Sequence, residues 1–212
     1  MRDRLLDELG DLPHSRFLVY LMGPYKAFDV ERALETAAPE SIPASVDFGT
    51  LVGSDHADLE RDEAALDLVL SVRDRLRATA GVNAFLAIDV DVPLAEMDAA
   101  TQSIAFARAS NAVVYVVPAM GDNLGVGIEV GSVLEALYAD DEPEHRRERV
   151  LFVHESGVRS AMIAAVRDRW EARIYAYEDV DDLERQVRLF VRDLMRKERT
   201  GELPRPDGAD RR

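Results

Sequence analysis

The sequence contains no cysteine. Disulfides and thiolate metal sites are thereby excluded. The four histidines, His14, His56, His145 and His154, fall at no metal-ligand spacing, so no metal is expected, and no cofactor either. No apolar run approaches the roughly 20 residues that span a bilayer, so no membrane partner is expected. The opening Met-Arg-Asp-Arg-Leu-Leu-Asp-Glu-Leu carries acids where a secretory signal would be apolar, and the expected location is cytoplasmic. A Gly-x-Ser-x-Gly elbow and a phosphate loop ending in Gly-Lys-Ser/Thr are also missing, which removes the hydrolase and NTPase readings tied to them. Lysine is nearly absent: only Lys26 and Lys197 occur, and the remaining basic residues are arginine.

What is present in excess is acid. Aspartate and glutamate number 41 against 26 lysines and arginines, for a net charge of −15. No basic stripe stands out along the chain, which argues against DNA or RNA as a partner. The acids are spread evenly, a pattern that fits a salt-loving source and equally fits an acidic protein from a GC-rich mesophile. At high salt the Debye length shrinks to roughly 3 Å, so an acidic surface need not repel a small anionic ligand.

A chain of 212 residues with 47% hydrophobic residues has room for one domain with a full core. Arg16-Phe-Leu-Val-Tyr-Leu-Met22 follows a short N-terminal amphipathic helix and reads as the first buried strand, ending at Gly23-Pro24. A helix over 28–38 and a Pro- and Gly-punctuated stretch to about 58 come next. A helix to Gly81 then leads to a second strand, Ala84 to Ile88. Helix and strand alternate again: a helix near 95–109, the strand Ala112 to Val117, a helix over 126–139, the strand Arg149 to Val153, a helix near 158–169, the strand Ala172 to Ala176, and a last helix over 180–199. Near-continuous apolar strands separated by helices predict a mostly parallel sheet covered on both faces. The expected fold is therefore α/β, a doubly wound, Rossmann-like three-layer sandwich with five strands in the flavodoxin-like order 2-1-3-4-5. Residues 1–200 form the domain, 27–60 an insertion within it, and 201–212 a flexible tail.

In that order the ligand crevice opens at the carboxyl ends of strands 1 and 3. Strand 1 runs into Gly23-Pro24-Tyr25-Lys26, and strand 3 runs into a loop through Gly127. In Gly125-Val-Gly127-Ile-Glu129-Val-Gly131 the spacing places a loop-to-helix junction, with free backbone N–H groups facing an anion and Glu129 in the first helical turn. Gly131 is expected to allow close packing of the helix on the sheet. A structural reading stands beside this one, in which Glu129 caps the helix and the glycines make the turn.

Asn123-Leu-Gly-Val-Gly-Ile-Glu129-Val-Gly131 resembles the loop-helix signature of the nucleoside 2-deoxyribosyltransferase superfamily, especially its deoxynucleoside 5'-monophosphate N-glycosidase branch. Val19-Tyr-Leu-Met-Gly23-Pro24-Tyr25 is similar to that family's first strand, and Ala109 to Val117 to the strand preceding its glutamate. The resemblance implies that Glu129 is a nucleophile attacking C1' of a (deoxy)ribose, that Tyr25 contacts the base, and that Asn123, Gly125 and Gly127 hold a 5'-hydroxyl or phosphate, with Lys26 a further candidate. It also implies a homo-oligomer, expected as a dimer, with a nucleoside or nucleotide as small-molecule partner. The family's aspartate in the helix before strand 3 has no counterpart: counting back from Asn111 lands on Ser103. The nearest acids are Glu96 and Asp98, more than a turn away, and Asp89 and Asp91 at the end of strand 2 are candidates to supply the missing acid function. Two functions follow as expectations: cleavage or exchange of an N-glycosidic bond, or a non-catalytic nucleotide-binding or sensor domain using the same crevice.

Overall fold

The computed structural model describes residues 1–23, 56–119, 123–139, 143–158, 168 and 172–206, with side chains described in these ranges except at 56–63, 123–130 and 143–144. The chain begins with helix α1 (Arg2–Leu9) and strand β1 (His14–Met22). After the next described helix, α2 (His56–Ala80), come β2 (Val82–Phe85) and a 3-10 turn at Ala87–Asp89. Then follow α3 (Ala99–Ala109), β3 (Ala112–Val117), α4 (Asn123–Tyr138), the short α5 (Pro143–Arg147), β4 (Val150–Glu155), β5 (Arg173–Tyr177) and α6 (Val180–Thr200). The expected helices over 28–38 and 158–169 lie outside the described residues, apart from residues 158 and 168.

The five strands form one sheet in the order β2-β1-β3-β4-β5, and every neighbouring pair is parallel. The fold is thus the doubly wound α/β sandwich that the apolar runs predict. Successive side chains of a strand face opposite sides, so each strand divides its residues between two cores. On one face Phe17, Val19 and Leu21 of β1, with Val114 and Val116 of β3, pack against Val69, Val72 and Leu76 of α2 and Leu183, Val187, Phe190 and Leu194 of α6. On the other, Leu18, Tyr20 and Met22 join Val113 and Tyr115 beneath Leu5 of α1, Phe106 of α3 and Leu134 and Leu137 of α4. Among the described residues no helix is long and apolar enough to cross a membrane.

Several boundaries differ from the sequence expectation. Strand β2 lies over 82–85 instead of 84–88, because the chain turns immediately after Phe85. The Asp89 carboxylate accepts from the Leu86 N–H at 2.9 Å and closes the 3-10 turn. The sequence signal pointed away from Asn83, but its buried amide donates to the carbonyls of Gly10 (3.0 Å) and Ser15 (2.9 Å), which lets a polar residue sit within the strand. The domain also continues past residue 200. Leu203 is buried and the Pro204 carbonyl accepts from Arg149, so residues 201–206 dock onto the sheet's amino edge and are not a free tail.

Candidate functional site

Strands β1 and β3 are neighbours, with Met22 level with Tyr115, and their chains leave the sheet at Gly23 and Pro118. The chain order reverses between these two strands, which opens a crevice beyond their carboxyl ends. The core beneath it on the α3–α4 side is aromatic. Tyr20 stacks on Phe85 with ring centres 5.2 Å apart and meets the edge of Phe106 at 5.7 Å, while Tyr115 and Phe152 stack at 4.4 Å. These rings are all buried, so the strand ends stand on a rigid base.

Helix α4 begins at Asn123, not near 126. The positive end of its dipole and its first four unpaired N–H groups therefore belong to 123–126. Gly125 falls in that turn. Gly127 and Glu129 fall in the next, Glu129 being the seventh helical residue, which corrects the first-turn placement that the glycine spacing suggested. The side chains of Asn123 and Glu129 lie outside the described residues, as do Pro24, Tyr25 and Lys26. Gly23 is half-buried at the end of β1. The expected role of Gly131 does not hold: a Cβ built there meets nothing within 4 Å, so close packing does not require glycine.

The other residues singled out from the sequence are placed in the scaffold. Asp89 accepts from the Leu86 amide and from Arg73 Nη1 at 2.5 Å, with Arg77 at 3.7 Å. Asp98 is the N-cap of α3: its oxygens accept from the Thr101 amide (3.0 Å) and hydroxyl (2.6 Å), and these bonds hold its carboxyl below the usual range. The Asp91 N–H donates to Glu8 at 3.0 Å. Ser103, at the position of the family aspartate, is buried 3.4 Å from the Tyr20 hydroxyl beneath β1. Asn111 lies at the opposite, amino end of the sheet and has no part in the crevice.

One acid at the carboxyl edge escapes the sequence reading. Glu155 ends β4, and its Oε2 accepts from the Ala119 N–H at 2.8 Å, pinning the segment that leaves β3. Ending the strand at Val153 hid it; the signal was the polar His154-Glu155 pair just past an apolar run. Beside it the Tyr177 hydroxyl is buried, and burial, followed by the Glu155 charge, pushes its pKa up. Among the described residues no three histidine, aspartate or glutamate side chains gather as metal ligands. Chemically, the edge offers backbone N–H groups at the start of α4 suited to an anion and a carboxylate fixed at the strand-3 exit.

Residues 2–207 match a family model described as "Domain of unknown function (DUF7509)". No curated protein matches the chain.

Proposed function

From the premise that the chain belongs to the DUF7509 family, we propose that it takes a nucleoside or nucleoside 5'-monophosphate into the crevice at the ends of β1 and β3 and cleaves or exchanges its N-glycosidic bond, with Glu129 as nucleophile. One observation carries the reading: a helix opens six residues after β3, at the chain reversal of the sheet, on the segment Asn123 to Gly131 that resembles the deoxyribosyltransferase signature. The amides of 123–126 would hold the ligand's 5' end, and a carboxylate a turn further on would lie beneath the sugar. Departure of the base leaves oxocarbenium-like positive charge on C1', which an ionised glutamate stabilises before it bonds to that carbon. Gly23, Pro24 and Tyr25 would flank the base. A homodimer that completes the site with a neighbouring subunit belongs to the same reading.

A second reading has its own support. Ser103 is buried under β1 and supplies no acid, while the carboxylates of Asp89 and Asp98 are bound to their own turns. A site lacking the family's aspartate suits a nucleotide-binding or sensor domain. The test is release of free base from a panel of ribo- and deoxyribonucleosides, their monophosphates and NAD, followed by chromatography for the wild type and Glu129→Gln. The enzyme reading expects release by the wild type and none above background from a folded Glu129→Gln. Equal release by both would overturn it, and thermal stabilisation by one ligand without any release would favour the sensor.

A further inference from the structure

At the amino edge of the sheet, opposite the crevice, lies a groove of about 940 Å³ between the start of β1, the end of α2 and the last turns of α6. Six arginines line it: Arg2, Arg16, Arg192, Arg196, Arg199 and Arg205. His14 also lines it. In a chain of net charge −15 this is an inversion of the local charge. The acid within the lining, Glu198, does not offset it. That carboxylate is 6% exposed and already bound to Arg149 and to the Asn111 amide.

The arginines divide into wall and reach. The Arg2 guanidinium is fixed by the carbonyls of Ala109 and Arg16 and by Asn111 Oδ1. Arg196 is paired with Glu202 at 2.6 Å and with Asp193 at 3.2 Å. Arg192, Arg199 and Arg205 are exposed and have no hydrogen-bond or ion-pair partner among the described residues. Arg192, Arg196 and Arg199 follow one another at helical spacing along one side of α6, where like charges repel. Only Arg199 lies in the helix's last turn, so compensation of the helix dipole does not account for the stripe. Arg205 is delivered to the same groove by the docked segment whose Leu203 is buried and whose Pro204 carbonyl is held by Arg149.

We propose that this groove is a second, separate ligand site, which takes a small anion carrying two or more phosphates. The planar guanidinium fork suits phosphate oxygens in pairs, and the volume lies within the roughly 300–1,000 Å³ of small-molecule sites. A small ligand fits better than a nucleic acid, because the net charge of −15 on the chain as a whole would repel a long polyanion that ran beyond the groove. The site is independent of the chemistry proposed for the crevice.

The probe is inorganic triphosphate, titrated calorimetrically into the wild type, into the double variant Arg192→Ala/Arg205→Ala, and into Arg185→Ala at the other end of α6. The substituted side chains are exposed, and circular dichroism melts confirm that each variant is folded. Saturable binding by the wild type, weakened about tenfold or more in the double variant and unchanged in Arg185→Ala, is the expected result. No saturable binding, equal weakening by Arg185→Ala, or binding of a single-stranded oligonucleotide without binding of triphosphate would each overturn the proposal.

Discussion

Asn111 commits its whole side-chain hydrogen-bonding capacity to the scaffold. Its amide nitrogen donates to both oxygens of Glu198, at 2.9 and 3.0 Å, while its oxygen accepts from the Leu18 N–H and from Arg2, each at 3.0 Å. Arg149 completes the knot by donating to the Asn111 carbonyl at 2.7 Å and pairing with Glu198 at 2.5 Å. Burial lowers the Arg149 pKa, and the Glu198 charge opposes that shift. Arg149→Met would leave Glu198 buried without its cation, and breaking such a pair from one side costs about 3–5 kcal/mol. Urea unfolding checks this; a loss no larger than that of exposed Arg185→Ala would mean that the pair is not a stabilising contact. Asn111 attracted notice in the sequence for its place at the head of a strand. Its partners, at positions 2, 18 and 198, could not be read locally because they are far apart in the chain.

At the scale of elements, the alternation of strand and helix was legible because strands buried on both faces are written as unbroken apolar runs, Val19 to Met22 and Ala112 to Val117 among them. Boundaries governed by a side chain bonding to backbone were less so. Strand β2 is displaced by the Asp89 turn, and α4 starts ahead of its glycines, which spacing alone assigned to a loop. The five-residue α5 carries no periodicity to detect. The arginine groove was only half legible: Arg192, Arg196 and Arg199 recur at helical spacing along α6, but Arg2, Arg16 and Arg205 join them only through the fold. Gly131 gives a direct check at this scale. It lies inside α4 with open space at its Cβ, so Gly131→Ala should stabilise the protein by about 0.5–1 kcal/mol through reduced unfolded-chain entropy and better helix propensity. A raised melting temperature is the expected outcome, and a lowered one would restore the need for close packing there.

For the whole molecule, the acid-rich composition sets a direction with pH. Asp98, Asp182, Asp193 and Glu202 all have carboxyls held below their ordinary values. In Asp182 and Asp193 burial alone would raise the pKa, but hydrogen bonds from Arg185 to the first, and from Arg173 and Arg196 to the second, outweigh it. In Glu202 the hydrogen bond from Arg196 acts first, then that from Thr200. Under mild acid the folded state therefore binds fewer protons than the unfolded chain. This stability is fully present above the unfolded carboxylate range of about pH 4 and is lost as pH falls through the depressed folded values. The urea midpoint should stay level from neutral pH to about pH 5 and decline below about pH 4. The decline should be shallower in Arg196→Ala, which removes a partner of both Asp193 and Glu202. An identical acid limb in the two proteins would show that these pairs do not set the pH dependence.

The knot at the amino edge also joins regions that are distant along the chain. Arg2 reaches Asn111, Asn111 reaches Glu198, and Arg149 reaches both Glu198 and Pro204. Residues 2 and 204 thus belong to one bonded cluster, and the described polypeptide almost closes into a ring. A linker joining the two ends of the chain would close that ring covalently. New termini could then be opened in a surface connection elsewhere, giving a circular permutant with the same sheet and the same buried knot, now crossed by continuous chain.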